Sequence, residues 1–262
     1  MALTDPAKEL AETLARLASE PSTQVTQKIS IDAKVKAWSP GFFRILFEIL
    51  NRINLVESKV SDLPLDEDVK QDAMESIAVI RSVFSDPNVL SQTTTQIRPR
   101  ITGSNATVLK MLSMMIREKV SYPLLDNEQR EEVLKEVSAL REWLAEVQSD
   151  EKDFIRAALI EGLDNFSFRM ERLAWFGHGY ALDGLKEVIR AYLSLQGAQA
   201  IDPSGSELQD AILAKGKATI LRVLQTFDLA KDNADRADWA LRAYGAVSAL
   251  ADGSSTVTGL LK

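Results

Sequence analysis

Ile155-Arg156-Ala157-Ala158-Leu159-Ile160-Glu161-Gly162-Leu163-Asp164-Asn165-Phe166-Ser167-Phe168-Arg169-Met170-Glu171-Arg172-Leu173 is the stretch on which the fold class turns. Its apolar residues Ile155, Leu159, Leu163, Phe166, Met170 and Leu173 fall at steps of three and four, the repeat of one face of an α-helix. Leu182, Leu185, Ile189 and Tyr192 carry the same repeat after a glycine-marked break, and Val133, Val137, Leu140, Leu144 and Val147 carry it before. The last set alternates four and three strictly, but for only about two heptads, which suits a bundle helix better than a coiled coil. One apolar stripe per segment predicts an all-α, multi-helix bundle.

Helix starts divide the chain further. Asp5-Pro6, Ser39-Pro40 and Asp202-Pro203 each set a side-chain acceptor at the N-cap before a proline at the first helical position. Asp126 with Gln129, and Ser206 with Gln209, have capping-box spacing. These signals predict roughly eight or nine helices, near 5–19, 40–60, 66–85, 104–120, 127–148, 151–176, 181–196, 204–229 and 233–251. Two stretches read differently. In Lys28-Ile29-Ser30-Ile31-Asp32-Ala33-Lys34-Val35-Lys36 the apolar residues alternate at period two, and Thr93-Thr94-Thr95-Gln96-Ile97-Arg98-Pro99-Arg100-Ile101 is β-prone and broken by proline. A minor two-stranded β-ribbon between them is expected, with its lysines and arginines guarding the edges. The expected organisation is an N-terminal helical region (1–86), a linker or ribbon segment (87–103) and a C-terminal helical bundle (104–262).

Composition narrows the function. The 262 residues contain no cysteine and one histidine, which removes most groups from which catalytic sites are built. A formal net charge of −7 disfavours nucleic acid and anionic membrane as partners. The start, Met1-Ala2-Leu3-Thr4-Asp5-Pro6, has neither the basic residues nor the apolar run of a secretory leader, so a cytoplasmic location is expected. Phosphate-binding, dinucleotide-binding and nucleophile-elbow glycine motifs are absent from the sequence.

The histidine turn, Trp175-Phe176-Gly177-His178-Gly179-Tyr180, is the catalytic candidate. Glycines admit close approach to the backbone, and a carboxylate such as Asp164 or Glu171 on the preceding helix would orient the His178 imidazole. The structural alternative has Gly177 ending one helix in a left-handed conformation, with His178 capping its carbonyls. Asp228, Asp232, Asp235 and Asp238 are the metal candidates, but their spacing drifts around a helix and suits a solvated helix start. No metal or cofactor is expected.

Partner-binding surfaces are better supported. The helix at 40–60 opens Phe42-Phe43-Arg44-Ile45-Leu46-Phe47-Glu48-Ile49-Leu50 and is apolar except for a strip through Arg44, Glu48, Asn51 and Arg52. Such a helix is usually central in its own core; as a surface it makes Phe42, Phe43 and Phe47 candidate contacts, together with Val257, Leu260 and Leu261 in a sparsely charged tail that is otherwise a plain frayed terminus. The sequence predicts a non-enzymatic helical interaction or assembly subunit that binds a protein partner or self-associates. The alternatives are a membrane-interfacial or pore-forming helical protein, and a hydrolase-like enzyme using His178 or an aspartate-bound metal.

Overall fold

Asp5 opens helix α1 (Pro6–Ala18) by accepting hydrogen bonds from the backbone N–H groups of Ala7 and Lys8 at 3.1 and 2.9 Å. Ser39 does the same for α3 (Pro40–Ser61), and Asp126 with Gln129 forms a complete capping box at α8 (Asn127–Glu146). The computed structural model describes residues 2–147, 153–201 and 207–227, and twelve helices run through them. The others are α2 (Val25–Asp32), α4 (Glu67–Ser85), α5 (Pro87–Leu90), α6 (Thr94–Ile101), α7 (Ser104–Arg117), α9 (Asp153–Glu171), α10 (Leu173–Phe176), α11 (His178–Ile201) and α12 (Glu207–Thr226). The helix expected near 233–251 lies outside the described residues.

The molecule is all-α with a minor β-ribbon, but the ribbon joins β1 (Leu3–Thr4) to β2 (Tyr122–Pro123). Both stretches expected as strands are helices, α2 and α6. Alternation in the first conceals a helical stripe: Val25, Ile29 and Ala33, four apart, are buried, while Ile31 is left exposed. In the second, a Thr93–Gln96 capping box nucleates the helix, and Ile97 and Ile101 bury one face despite Pro99. The stretches still meet at their approaches, where Gln24 and Thr93 form an antiparallel bridge. Val25 N–H donates to Gln92 O at 3.0 Å and Thr94 N–H to Thr23 O at 2.8 Å.

Two compact units result. The first comprises Leu3–Tyr122 and Arg172–Tyr180; the second holds the described residues of 123–171 and 181–227. Segment 87–103, expected as a linker or ribbon, carries α5 and α6 and lies inside the first unit. There α1 is the hub, packed against α3, α6, α7 and α10, with Leu10, Leu14 and Leu17 fully buried. In the second unit α8 packs on α9 and α12 through the stripes read from sequence, Val133, Val137, Leu140 and Leu144 against Leu159, Leu163, Phe166 and Met170.

Candidate functional site

The histidine turn is filled by the protein's own side chains. Gly177 ends α10 with φ of 79°, its N–H donating to Leu173 O at 2.7 Å, and His178 begins α11. Glu9 of α1 receives the turn, accepting from His178 N–H at 2.8 Å, while its Oε1 lies 3.0 Å from His178 Nδ1. An ionised carboxylate only accepts, so this contact is a hydrogen bond in the form of the imidazole that carries its hydrogen on Nδ1. Arg52 of α3 completes the cluster: Nε lies 3.7 Å from Glu9 Oε2, Nη1 donates to Thr13 Oγ1 at 3.1 Å, and Nη2 donates to the carbonyls of Trp175 (3.1 Å) and Phe176. Glu9, Arg52 and Thr13 are all buried. The carbonyls ending α10 are thus capped by Arg52 rather than by His178.

Both glycines of Gly177-His178-Gly179 are required by this packing. A Cβ on Gly177 would collide with the Glu9 carboxylate and stand 2.6 Å from Arg52 Nη2, and one on Gly179 would stand 2.5 Å from the Tyr122 ring. The close approach anticipated for a ligand is made instead by Glu9, Arg52 and Tyr122. His178 Nε2 and Trp175 Nε1 are buried without a hydrogen-bond partner among the described residues. Chemically the cluster is a charged clamp joining α1, α3 and the α10–α11 turn, with the imidazole held by a carboxylate that Arg52 shares.

Neither carboxylate expected beside His178 fills that role. Asp164 pairs with Arg141 at 2.9 Å in the second unit, and Glu171 is an exposed residue at the end of α9. Glu9 escaped sequence reasoning because it lies far upstream, although its place among Leu10, Ala11 and Thr13 on the inward face of an amphipathic helix was a usable signal. Arg52 was visible as part of the polar strip of α3. Among the described residues no group of three histidine, aspartate or glutamate side chains could hold a metal ion. Asp228, Asp232 and Asp235 lie outside the described residues, as do Val257, Leu260 and Leu261.

The second candidate is the outer face of α3, where the expected polar strip is split: Asn51 is exposed and Arg44 half-buried, as a polar face requires, but its other two members are not. Glu48 and Arg52 point inward and are buried, whereas Phe43 and Phe47 are 39% and 63% exposed. Phe42, expected as a contact, is instead a fully buried core residue. Trp38 is 47% exposed and packs its ring against Phe42 at 5.4 Å and Phe43 at 6.0 Å; Ile31, at the end of α2, is 67% exposed. The most exposed residues of α3 are uncharged, Pro40, Phe43, Phe47, Asn51, Asn54, Ser58 and Ser61, with half-buried Arg44, Glu57 and Lys59 beside them.

The connection between α2 and α3 that carries Trp38 is held in shape. Val35 N–H donates to Ser30 O at 3.0 Å, Ser39 N–H to Lys36 O at 3.1 Å, and Arg172 Nε–H reaches Ala33 O at 2.8 Å. Lys34 and Trp38 both have positive φ, 52° and 60°, a conformation that non-glycine residues adopt only under constraint. No protein-family model, curated protein or solved structure matches the chain. Among the described residues no helix is long and apolar enough to cross a membrane.

Proposed function

We propose that this chain is a non-enzymatic interaction or assembly subunit whose docking surface is the outer face of α3 with Trp38. The observation that carries the reading is the uncharged outer stripe of α3, aromatic at its N-terminal end, in a chain that is 26% charged. Interface centres are depleted of charge and enriched in aromatic residues, and a water-facing helix has no other need of such a stripe. Preformed backbone around Trp38 supports the same reading, because a surface fixed beforehand loses less entropy on binding. The Glu9–Arg52–His178 clamp serves the surface by fixing α3 from behind. A cytoplasmic placement belongs to the same proposal and is checked by fractionating cells that express the tagged chain.

Phe47→Ala tests the function, since Phe47 is the most exposed aromatic of the stripe and alanine favours helix. Tagged wild type and variant are to be recovered from native cells and their co-purifying proteins quantified. A stoichiometric partner held by the wild type and lost by the variant, with unchanged thermal unfolding, is the expected result. Identical partners in both would remove α3 from the interaction.

A further inference from the structure

We infer that the occupant of this face is an amphipathic helix from a different protein, lying along α3 and carrying carboxylates where it passes Lys34 and Lys36; this rests on the docking role proposed above. The exposed residues Phe43, Phe47, Asn51, Asn54, Ser58 and Ser61 follow one another at steps of three and four from end to end of α3. That spacing makes a ridge along a helix of 22 residues, roughly 33 Å long, the shape into which another helix packs. An extended peptide added to a sheet edge is not served here, since the face is built from helices and offers side chains rather than free backbone donors.

The charge around the ridge is uneven, and that selects the occupant. Lys34 and Lys36 are exposed beside Trp38, and neither ammonium has an ion-pair partner among the described residues. The neighbouring acid, Asp32, is taken by Lys28 at 3.6 Å. The apolar end of the ridge is therefore basic, while at the other end the amides and hydroxyls stand among charges already paired within the chain, Arg81 with Glu57 and Asn54, and Lys59 with Asp62. A second copy of the chain fits poorly. An antiparallel two-fold pairing of α3 sets the Phe43 end against the Asn54–Ser58 end, and a parallel one sets lysines against lysines. A partner helix with large apolar side chains and glutamates or aspartates at one end satisfies both features, the carboxylates reaching two unpaired ammonium groups.

The test uses two synthetic amphipathic helices of about 20 residues, long enough to hold helix in water. They share one leucine face and differ in carrying glutamates or lysines beside it at one end. Binding of each, fluorescently labelled, to the full chain is followed by anisotropy. The glutamate peptide is expected to bind at least tenfold more tightly than the lysine peptide. Its affinity is expected to fall tenfold or more in Phe47→Ala and in the surface variant Lys34→Glu/Lys36→Glu, and to weaken as salt rises. Equal binding of both peptides, lost in Phe47→Ala, overturns the acidic preference and leaves the docking face standing. Binding of neither, while Phe47→Ala still sheds a native partner, overturns the acidic helix alone; binding of neither with all native partners retained removes the docking face as well. Flotation with phosphatidylserine-containing vesicles, or a concentration-dependent dimer, either abolished by Phe47→Ala, assigns the face to lipid or to a second copy and overturns the inference.

Discussion

Gly177 concentrates the energetics of the first unit into one backbone position. Any side chain there meets Glu9 and Arg52 and must hold φ near 79°, so Gly177→Ala is expected to cost about 3 kcal/mol, combining strained backbone with a disturbed buried charge pair. A urea midpoint shifted down at constant slope would establish it; an unchanged midpoint would mean that the clamp yields freely. Tyr192, in the second unit, makes a separate prediction. Burial raises its phenol pKa above the ordinary value, so the native state keeps a proton that the unfolded chain releases from about pH 10 upward. That contribution to stability is full below about pH 10 and is lost as pH rises toward the folded value, so Tyr192→Phe should lose less stability than wild type between pH 8 and about pH 11 in parallel urea titrations. Sequence made the unusual character of Gly177-His178-Gly179 legible, but not its cause. A turn that accepts Glu9 across 169 positions leaves no local trace, because the pairing is set by tertiary packing.

At the level of elements, capping chemistry was the most readable part of the chain. Asp5, Ser39 and Asp126 each open the helix their neighbours announce, since an N-cap is a local bond among residues two or three apart. What those caps are worth differs. Asp126 is exposed and bonds only within its box, so Asp126→Ala should cost about 1 kcal/mol. Asp5 is fully buried and also accepts from Ser113 at 2.6 Å and from Arg117 at 3.1 and 3.2 Å, so Asp5→Ala strips three further donors of their acceptor. A loss of about 3 kcal/mol is expected there, read from each variant's urea unfolding curve against wild type. The β-prone stretches misled because period-two and period-four stripes share positions over so short a run: Ile29 and Ala33 satisfy both. Burial chose the helix, and left Ile31 outside.

For the whole molecule, the first unit is discontinuous in sequence, a property that helix periodicity cannot reveal. Its chain stops at Tyr122 and resumes from Arg172 to Tyr180, supplying buried Trp175 and Phe176 and the carbonyls that Arg52 binds. A fragment ending at Tyr122 is therefore expected to lack a cooperative thermal transition and to bind a dye for exposed apolar surface, although α1 to α7 are all present. A sharp, native-like melt from that fragment would mean that α10 is dispensable to the unit. The same discontinuity fixes an order of events during synthesis. A ribosome adds about 5–20 residues per second, so α1 emerges on the order of ten seconds or more before the turn that closes over it. Throughout that interval Glu9 and Arg52 stand at an unfinished surface, and the nascent chain offers chaperones a long window of exposed helix faces before its N-terminal half can close.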